Sequence, residues 1–262
     1  MALEQFNLEG QVAIVTGAGR GVGKGIAGVL AEAGASVVAT ARTSSEVDQT
    51  VREIERSGGK GIALTADALV RADSERVVDT AVARFGRIDI LVNNVGGAAF
   101  APFLNLTDEQ LRVTFDRCVT SAFMMSQLAV PHMLEVGRGS IVNISSGVGR
   151  FGVRGFVSYC VAKAGLESLT RAMAQELAPK VRVNAISLGT FMTPGLRSGM
   201  AALRGWEDRL NELTPLRRIG DVADVGRLTV YLCTRDCYAT SATFQLDGGI
   251  EKSNFPTSLP DL

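Results

Sequence analysis

The sequence predicts an α/β fold in which a doubly wound parallel sheet is flanked by helices on both faces. Short apolar runs alternate with segments of helical periodicity, and such alternation implies right-handed βαβ crossovers. No linker or low-complexity stretch divides the 262 residues. Single α/β domains often reach this length, so we expect one domain over residues 1–262.

The predicted elements begin with a buried-strand pattern at residues 11–15, followed by a glycine-rich turn and a helical run. An apolar run at residues 141–144 marks a central strand, and the segment from Ser158 onward has helical periodicity with few breakers. Strands are predicted near residues 11–16, 36–41, 61–66, 89–93, 139–145, 181–187 and 242–247. Helices are predicted near residues 22–33, 44–57, 71–85, 108–135, 158–178 and 222–234. Only the segment 194–215 interrupts this alternation.

The glycine-rich turn after the first strand predicts a dinucleotide site. It reads Thr16-Gly17-Ala18-Gly19-Arg20-Gly21-Val22-Gly23 and lies directly between a strand and a helix. Glycines let the backbone approach a pyrophosphate closely, and a helix N-terminus offers unpaired N–H groups and a positive dipole end. The arrangement is Rossmann-like, although its spacing is TGxxxGxG rather than the commoner GxGxxG.

Ser146, Tyr159 and Lys163 form a second candidate site. Residues i and i+4 share one face of a helix, so Lys163 is expected beside Tyr159. A free tyrosine has a pKa of about 10, and a neighbouring ammonium favours the phenolate and lowers that pKa. Ser146, at the end of a predicted strand, can donate a hydrogen bond to a substrate oxygen. This set of side chains indicates carbonyl–alcohol redox chemistry.

Composition and charge argue against several other functions. Lysine plus arginine equals aspartate plus glutamate at 27 each, so no charge bias points to nucleic acid. No apolar run approaches the roughly 20 residues that span a bilayer, and the first residues lack the pattern of a signal peptide. We therefore expect a cytoplasmic protein without a membrane partner. The four cysteines form no CxxC pair and His132 is the only histidine, so neither a metal site nor a histidine-based triad is expected.

With these motifs, the chain resembles the short-chain dehydrogenase/reductase (SDR) family from about residue 8 to residue 250. The signatures that agree in order are residues 16–23, Asn93-Asn94-Val95-Gly96, the Ser146/Tyr159/Lys163 set, Val183-Asn184-Ala185-Ile186 leading to Gly189 and Thr193, and Asp247-Gly248-Gly249. The resemblance implies an oxidoreductase that interconverts a small-molecule ketone and a secondary alcohol by hydride transfer. It also implies a homo-oligomer, either a tetramer or a dimer.

The resemblance assigns a role to each member of the catalytic set. Tyr159 would donate a proton to the developing alkoxide, and Ser146 would stabilise and orient the oxygen. Lys163 would hold the nicotinamide ribose and keep the phenol acidic.

Charge near the second strand favours NADP(H) over NAD(H). SDR members that prefer NAD usually have an acid at the end of this strand, whereas here Arg42 follows it. Arg42 and Arg20 could pair bidentately with a 2′-phosphate, and Thr43 could add a hydroxyl donor. By the family pattern, the cofactor-binding residues are Gly17, Gly19, Arg20, Gly21, Val22, Gly23, Arg42, Thr43, Asp67, Ala68, Asn93, Gly96, Tyr159, Lys163, Gly189 and Thr193.

Within this set, the family pattern places five residues along the cofactor. Asp67 and Ala68 are expected at the adenine, and Asn93 and Gly96 at the ribose region. Thr193 is expected at the nicotinamide carboxamide.

One departure from the family affects the catalytic set. The family normally has an asparagine in the fourth helix, and Cys118 occupies that position here. In the family this asparagine fixes a local helix distortion, and its main-chain carbonyl holds a water of the proton relay to the lysine. A cysteine retains the carbonyl but lacks the amide side chain, so we expect an intact but slower relay.

Apolar side chains near the site favour a bulky substrate. Phe100, Phe151, Phe156 and Met192 are expected to line a pocket for a ring or alkyl ketone, as in hydroxysteroid dehydrogenase-type members. The family usually places a substrate lid where residues 194–215 lie, and the alternative is a surface insertion without substrate contact. Residues 251–262 are expected to form a short C-terminal tail.

Two other functions stay open at this point. The first is a 3-oxoacyl-thioester reductase, which is the second substrate class that the family suggests. The second belongs to a different class: an NADP-binding sensor or scaffold whose catalysis is weakened, with Cys118 as its indication. The retention of Ser146, Tyr159 and Lys163 argues against the sensor.

Overall fold

The computed structural model describes residues 6–97, 100–201 and 203–254. In these ranges the chain forms a seven-stranded, wholly parallel sheet in the order β3-β2-β1-β4-β5-β6-β7. The strands are β1 (Val12–Val15), β2 (Ser36–Ala41), β3 (Lys60–Thr65), β4 (Ile90–Asn93), β5 (Gly139–Ser146), β6 (Val181–Leu188) and β7 (Thr243–Leu246). The predicted doubly wound fold is confirmed, and each strand ends within one residue of its predicted bounds.

The described residues also form nine α-helices. They are α1 (Gly21–Glu32), α2 (Ser44–Arg56), α3 (Arg71–Phe85), α4 (Asp108–Phe115), α5 (Ser121–Val136), α6 (Val157–Leu177), α7 (Pro194–Met200), α8 (Trp206–Leu213) and α9 (Val222–Cys233). Two apolar clusters show that these helices cover both faces of the sheet. Ala13 and Val15 of β1 pack with α1, α2 and α9, whereas Ile14 packs with α3, α5 and α6. Successive side chains of a strand point to opposite faces, so the two clusters are the two sides of one core.

Two segments differ from the predicted helices. The helix predicted near residues 108–135 is divided by a π-helical turn at Asp116–Thr120, where the Ser121 N–H donates to the Asp116 carbonyl five residues back. The segment 194–215 contains the two short helices α7 and α8. The Thr193 hydroxyl accepts a hydrogen bond from the Leu196 N–H, and Pro194 follows at the first helical position, so this segment carries its own helix-start signal.

The sheet order places a crevice beside β1. The chain passes from β1 outward to β3 and then returns to β4 on the other side of β1. The connections that follow β1 and β4 therefore diverge, and ligands of open α/β sheets bind at this point outside the carboxyl ends of the strands.

Some predicted features lie outside the described residues. They are residues 255–262 of the C-terminal tail, Ala202 in the 194–215 segment, and Ala98 and Ala99 after β4. In the part of the chain that is described, no helix combines the length and apolar character needed to cross a bilayer.

Candidate active site

The turn between β1 and α1 forms a cradle that suits an anion. Gly17 and Gly21 have positive φ angles of 64° and 58°, which residues with side chains rarely adopt. A Cβ atom on Gly23 would lie 2.3 Å from the Gly17 carbonyl oxygen, so only glycine fits where the helix passes the turn. Helix α1 begins at Gly21 without a side-chain cap, which leaves its first N–H groups available to a phosphate.

Asn94, which follows β4, braces this cradle. Its backbone N–H donates to Thr16 Oγ1 at 3.0 Å. Its Nδ2 donates to the carbonyl oxygens of Thr16 and Gly17 at 3.0 and 3.1 Å. Asn94 therefore joins the connections after β1 and β4 at the point where the strand order reverses.

The expectation for the neighbouring Asn93 needs correction. Its side chain is buried, and its Nδ2 donates to Asn143 Oδ1 at 2.9 Å and to Ser126 Oγ at 3.1 Å. These partners lie on β5 and α5, so Asn93 belongs to the core rather than to the ribose region. Asn94 is the residue of this pair that lines the crevice.

A cavity of about 330 Å³ runs from the glycine turn across the ends of β2 and β3. It is lined by Gly17, Gly19, Arg20, Thr40, Ala41, Arg42, Thr43, Glu46, Ala66, Asp67, Ala68, Leu69, Asn94, Val95, Gly96 and Arg117. The predicted residues Arg20, Arg42, Thr43, Asp67 and Ala68 are thus brought together. A glycine cradle that continues into a cavity with three arginines fits the pyrophosphate and adenosine of a dinucleotide.

Glu46 is an acidic residue of this cavity that the sequence analysis missed. It lies in the first turn of α2, and its carboxylate is 3.6 Å from the Arg20 guanidinium. A Cβ atom on Gly19 would lie 3.0 Å from the Glu46 Cβ, so the acid packs against the glycine turn. The strand end lacks an acid, as expected, but a carboxylate reaches the cavity from the following helix.

A second cavity of about 570 Å³ adjoins the first, because Asn94 and Gly96 line both. Its lining includes Val22, Gly97, Ile144, Ser145, Ser146, Gly147, Val148, Phe151, Val153, Phe156, Tyr159, Lys163, Leu188, Gly189, Thr190, Phe191, Thr193, Gly195, Leu196, Ile250, Ser253 and Asn254. Lys163 is the one residue of this lining with an ionisable charge at neutral pH. Charged side chains thus line the first cavity, whereas the lining of the second is largely apolar.

Two of the four predicted pocket residues are placed differently. Phe151 and Phe156 line the second cavity, but Phe100 and Met192 do not. Phe100 is 46% exposed and packs edge-on behind Phe156, with 5.3 Å between ring centroids. The neighbouring Phe191 lines the cavity where Met192 was expected.

Ser146, Tyr159 and Lys163 all line the second cavity. The Ser146 side chain is hydrogen-bonded to the Tyr159 phenol. The Lys163 ammonium lies 5.5 Å from the centre of the Tyr159 ring and donates to the Ile144 carbonyl at 2.7 Å. A Cβ atom on Gly96 would be 3.1 Å from the Lys163 Nζ, so glycine at this position leaves room for the ammonium.

Burial governs the pKa values of these groups. Desolvation raises the pKa of Tyr159 above its ordinary value, and the hydrogen bond from Ser146 only partly opposes this. Desolvation also lowers the pKa of Lys163. The expectation that Lys163 lowers the tyrosine pKa is therefore not met in the protein alone. The phenol stays protonated at neutral pH, which is the form that can donate a proton.

Cys118 lies in the π-helical turn beside this set. Its side chain is buried, and its Sγ would be 3.7 Å from a Cβ atom on Gly96. It packs with Val119, Ala122, Ala162 and Leu166, and Tyr159 borders the same cluster. The helix distortion is thus present with cysteine at position 118.

The described residues contain no group of three or more His, Cys, Asp or Glu side chains that could hold a metal ion. The polar groups that line the two cavities are hydroxyls, amides, the phenol, the cations already described and the carboxylates of Glu46 and Asp67. These groups suit an organic cofactor and a neutral carbonyl.

Comparison with known proteins places this site in a family. Residues 17–251 match a family model described as enoyl-(acyl carrier protein) reductase. An uncharacterized oxidoreductase of Mycobacterium tuberculosis is 40% identical over 264 residues, which cover 100% of both chains. The 7α-hydroxysteroid dehydrogenase of Escherichia coli K12 is 35% identical over 88% of this chain and 90% of its own length.

Two further similarities concern substrate classes. A 3-oxoacyl-[acyl-carrier-protein] reductase of Thermotoga maritima is 34% identical over 94% of this chain and 99% of its own length. A solved 7α-hydroxysteroid dehydrogenase, in complex with NADH and 7-oxo glycochenodeoxycholic acid, superposes with a TM-score of 0.91. That match has 32% identity and covers 95% of this chain and 98% of the other.

Proposed function

Because the chain belongs to the short-chain dehydrogenase/reductase family and is an NAD(P)-dependent oxidoreductase acting on CH–OH groups, we propose that it interconverts bulky, apolar ketones and their secondary alcohols with NADP(H). The observation that carries the proposal is the position of Tyr159. It lines a largely apolar cavity that adjoins the arginine-bearing cavity through Asn94 and Gly96.

Each residue of the site has a separate role in the reaction. When bound, the nicotinamide supplies or accepts the hydride. The Tyr159 phenol donates its proton to the ketone oxygen as that oxygen gains charge, and Ser146 hydrogen-bonds to the same oxygen and orients it. Lys163 and Thr193 would hold the ribose and the carboxamide of the cofactor. The net change is a hydride on carbon and a proton on oxygen, and the reverse reaction retraces both.

The chemistry of the second cavity supports an apolar substrate. Aromatic and aliphatic side chains of Phe151, Phe156, Phe191 and Leu196 line it, and no carboxylate does. A pocket of about 570 Å³ is in the size range of drug-sized ligands. The similarity to a dehydrogenase that binds a steroid acid favours the same class of ketone here. The α7–α8 segment, with Leu196 on the cavity, would act as the substrate lid.

The test is initial-rate oxidation of NADPH and NADH, side by side, with steroid ketones, monocyclic ketones, short alkyl ketones and a β-ketoacyl thioester. We expect the highest kcat/KM with NADPH and a polycyclic or monocyclic ketone. Turnover confined to short alkyl ketones would contradict the apolar-pocket proposal. Tight NADPH binding without turnover on any ketone would contradict catalysis and favour the sensor.

The second candidate is a 3-oxoacyl-thioester reductase. It is favoured by the 34% identity to the acyl-carrier-protein reductase of Thermotoga maritima. In the panel above, turnover confined to the β-ketoacyl thioester would establish this candidate instead.

The arginine-bearing cavity gives a prediction about coenzyme choice. Arg42→Ala should weaken NADP(H) binding by about 10- to 100-fold, because charge-assisted hydrogen bonds to a phosphate contribute roughly 1.5–3 kcal/mol. Binding of NAD(H), which lacks the 2′-phosphate, should change little. Glu46→Gln should act in the opposite direction, since it frees Arg20 from a carboxylate 3.6 Å away and removes a negative charge from the cavity.

Fluorescence titration of both coenzymes on the wild type, Arg42→Ala and Glu46→Gln measures this effect. An equal loss of NADP(H) and NAD(H) affinity in Arg42→Ala would show that Arg42 does not contact the 2′-phosphate.

Cys118 gives a prediction about the proton relay. Because the π-helical turn is already formed with cysteine, Cys118→Asn should add the missing amide without rebuilding the backbone. We expect turnover to rise several-fold and the solvent isotope effect on kcat to change. Cys118→Ser is the matched control, since it has no amide and should leave turnover close to that of the wild type. The relay proposal fails if Cys118→Asn leaves both quantities unchanged.

We also propose that the protein is a homo-oligomer in the cytoplasm. Exposed apolar side chains of Leu111, Phe115, Phe123 and Val161 lie on α4, α5 and α6 and would be covered in a dimer or tetramer. Sedimentation equilibrium would measure the assembly, and a monomer at micromolar concentration would contradict it.

A further inference from the structure

The segment that follows β7 closes one side of the substrate cavity. We call residues 247–254 the C-terminal wall. Ile250, Ser253 and Asn254 of this wall line the cavity that Tyr159 also lines. The wall thus contacts the proposed substrate space although it lies about ninety residues beyond Tyr159 in the chain.

The beginning of the C-terminal wall is held by Arg150. Its Nη2 donates to Asp247 Oδ2 at 2.8 Å and to the Ile250 carbonyl at 2.7 Å. Its guanidinium also lies 5.4 Å from the centre of the Phe151 ring. Because Arg150 lies in the loop after Ser146, this contact ties the wall to the loop that carries the proposed catalytic serine.

The end of the C-terminal wall is held by Asn254, which is 7% exposed. The Thr190 hydroxyl donates to Asn254 Oδ1 at 3.2 Å. The Asn254 Nδ2 donates to Thr214 Oγ1 at 3.1 Å, and the Thr214 hydroxyl in turn donates to the Leu210 carbonyl of α8 at 2.7 Å. These three hydrogen bonds link Thr190, Asn254, Thr214 and α8 in sequence.

The two threonines flank the α7–α8 segment. Thr190 follows β6 and precedes α7, and Thr214 follows α8 directly. The Asn254 side chain therefore links the two residues that flank the segment. Asn254 also lines the cavity that the segment borders. An amide suits this position because it offers both an acceptor oxygen and a donor nitrogen, whereas the carboxylate of aspartate could only accept.

We propose that Asn254 is a positioning and specificity residue that fixes the closed arrangement of the α7–α8 segment over the substrate. This inference rests on the proposed function, in which the segment is the substrate lid. Its prediction is specific: loss of the Asn254 bonds should affect binding of a bulky ketone more than binding of a small one or of the coenzyme.

The experiment compares Asn254→Leu with Lys252→Ala. Leucine keeps the size of the side chain but removes both hydrogen bonds, and Lys252 is an exposed residue of the same wall. With NADPH saturating, we expect Asn254→Leu to raise the KM of the best bulky ketone about tenfold, as the loss of two hydrogen bonds would. The KM of a small ketone and the coenzyme Kd should stay within about twofold of the wild type.

A second readout does not depend on turnover. Arg204 lies in the exposed connection between α7 and α8, where trypsin can cut when the segment opens. We expect Asn254→Leu to be cut in this segment several times faster than the wild type, with the other trypsin sites unchanged. Lys252→Ala removes one trypsin site of its own, but its rate of cutting within the α7–α8 segment and its KM should match those of the wild type.

Thr190→Val provides a variant that leaves Asn254 in place. It removes one of the two bonds, so its effects should be smaller than those of Asn254→Leu, and the double variant should not exceed Asn254→Leu alone. If Asn254→Leu fails to fold, Thr190→Val and Asn254→Asp are compared with Lys252→Ala in its place.

Opposite results would overturn the proposal. It is wrong if Asn254→Leu matches Lys252→Ala in both the trypsin rate and the KM of the bulky ketone. It is also wrong if cutting accelerates equally at all sites, because that indicates general destabilisation. If the wild type reduces no ketone, the proposed function fails, and the trypsin comparison still decides whether Asn254 holds the segment.

Discussion

Tyr159→Phe should lower kcat for ketone reduction by about 10²- to 10⁴-fold, the usual contribution of a positioned general acid. The phenol is the proton donor that lies beside Ser146 on the second cavity. Burial raises the pKa of this phenol, so the phenol is protonated at neutral pH. Phenylalanine has no hydroxyl, so the variant lacks this proton donor. Phenylalanine keeps the ring that packs beside Phe156, at 6.5 Å between centroids.

The controls for Tyr159→Phe separate chemistry from binding. Coenzyme Kd and thermal stability should remain close to those of the wild type, because only one hydroxyl is removed. Tyr238→Phe makes the same chemical change at a fully exposed tyrosine and should leave kcat unaltered. A Tyr159→Phe variant that retains more than about a tenth of the wild-type kcat would rule out this phenol as the proton donor.

Gly23→Ala should abolish tight coenzyme binding and destabilise the fold by about 1–3 kcal/mol or more, as overpacking does in a close-packed interior. The added Cβ would lie 2.3 Å from the Gly17 carbonyl oxygen and 2.5 Å from the Asn94 Nδ2. The turn or the start of α1 must therefore move, and the hydrogen bonds of Asn94 to the cradle are displaced with it. Coenzyme titration and thermal unfolding measure the two effects.

Gly28→Ala is the matched control for this substitution. Gly28 lies on the same helix, and a Cβ atom there would meet nothing within 4 Å. Alanine has the higher helix propensity by up to about 1 kcal/mol, so Gly28→Ala should leave coenzyme binding intact and stabilise the protein slightly. Equal losses in the two variants would show that the turn tolerates a side chain and that the cradle is misassigned.

Local periodicity was sufficient to predict most of the fold and the centre of the site. Lys163 follows Tyr159 by one helical turn, and this spacing alone places the two side chains together. The strand, glycine turn and helix are consecutive in the chain, so the cradle is also a local feature. Each of these predictions depends on residues that are close in sequence.

The features that the sequence analysis missed depend on contacts between distant residues or on strand orientation. All four residues of β4 are buried, so hydrophobic periodicity could not tell whether Asn93 or Asn94 faces the crevice. Glu46 reaches the cofactor cavity only because α2 packs against the glycine turn. The bonds of Asn254 to Thr190 and Thr214 span 64 and 40 residues, and no local pattern indicates them.

Transfer of deuterium tests the central claim most directly. NADPH deuterated at its transferable position would be incubated with the best ketone of the panel, and the alcohol analysed by mass spectrometry and NMR. We predict deuterium on the carbinol carbon with the wild type and at most about a hundredth as much with Tyr159→Phe over the same period. Coenzyme oxidation without deuterium in the alcohol, or equal transfer by both proteins, would contradict hydride transfer assisted by Tyr159.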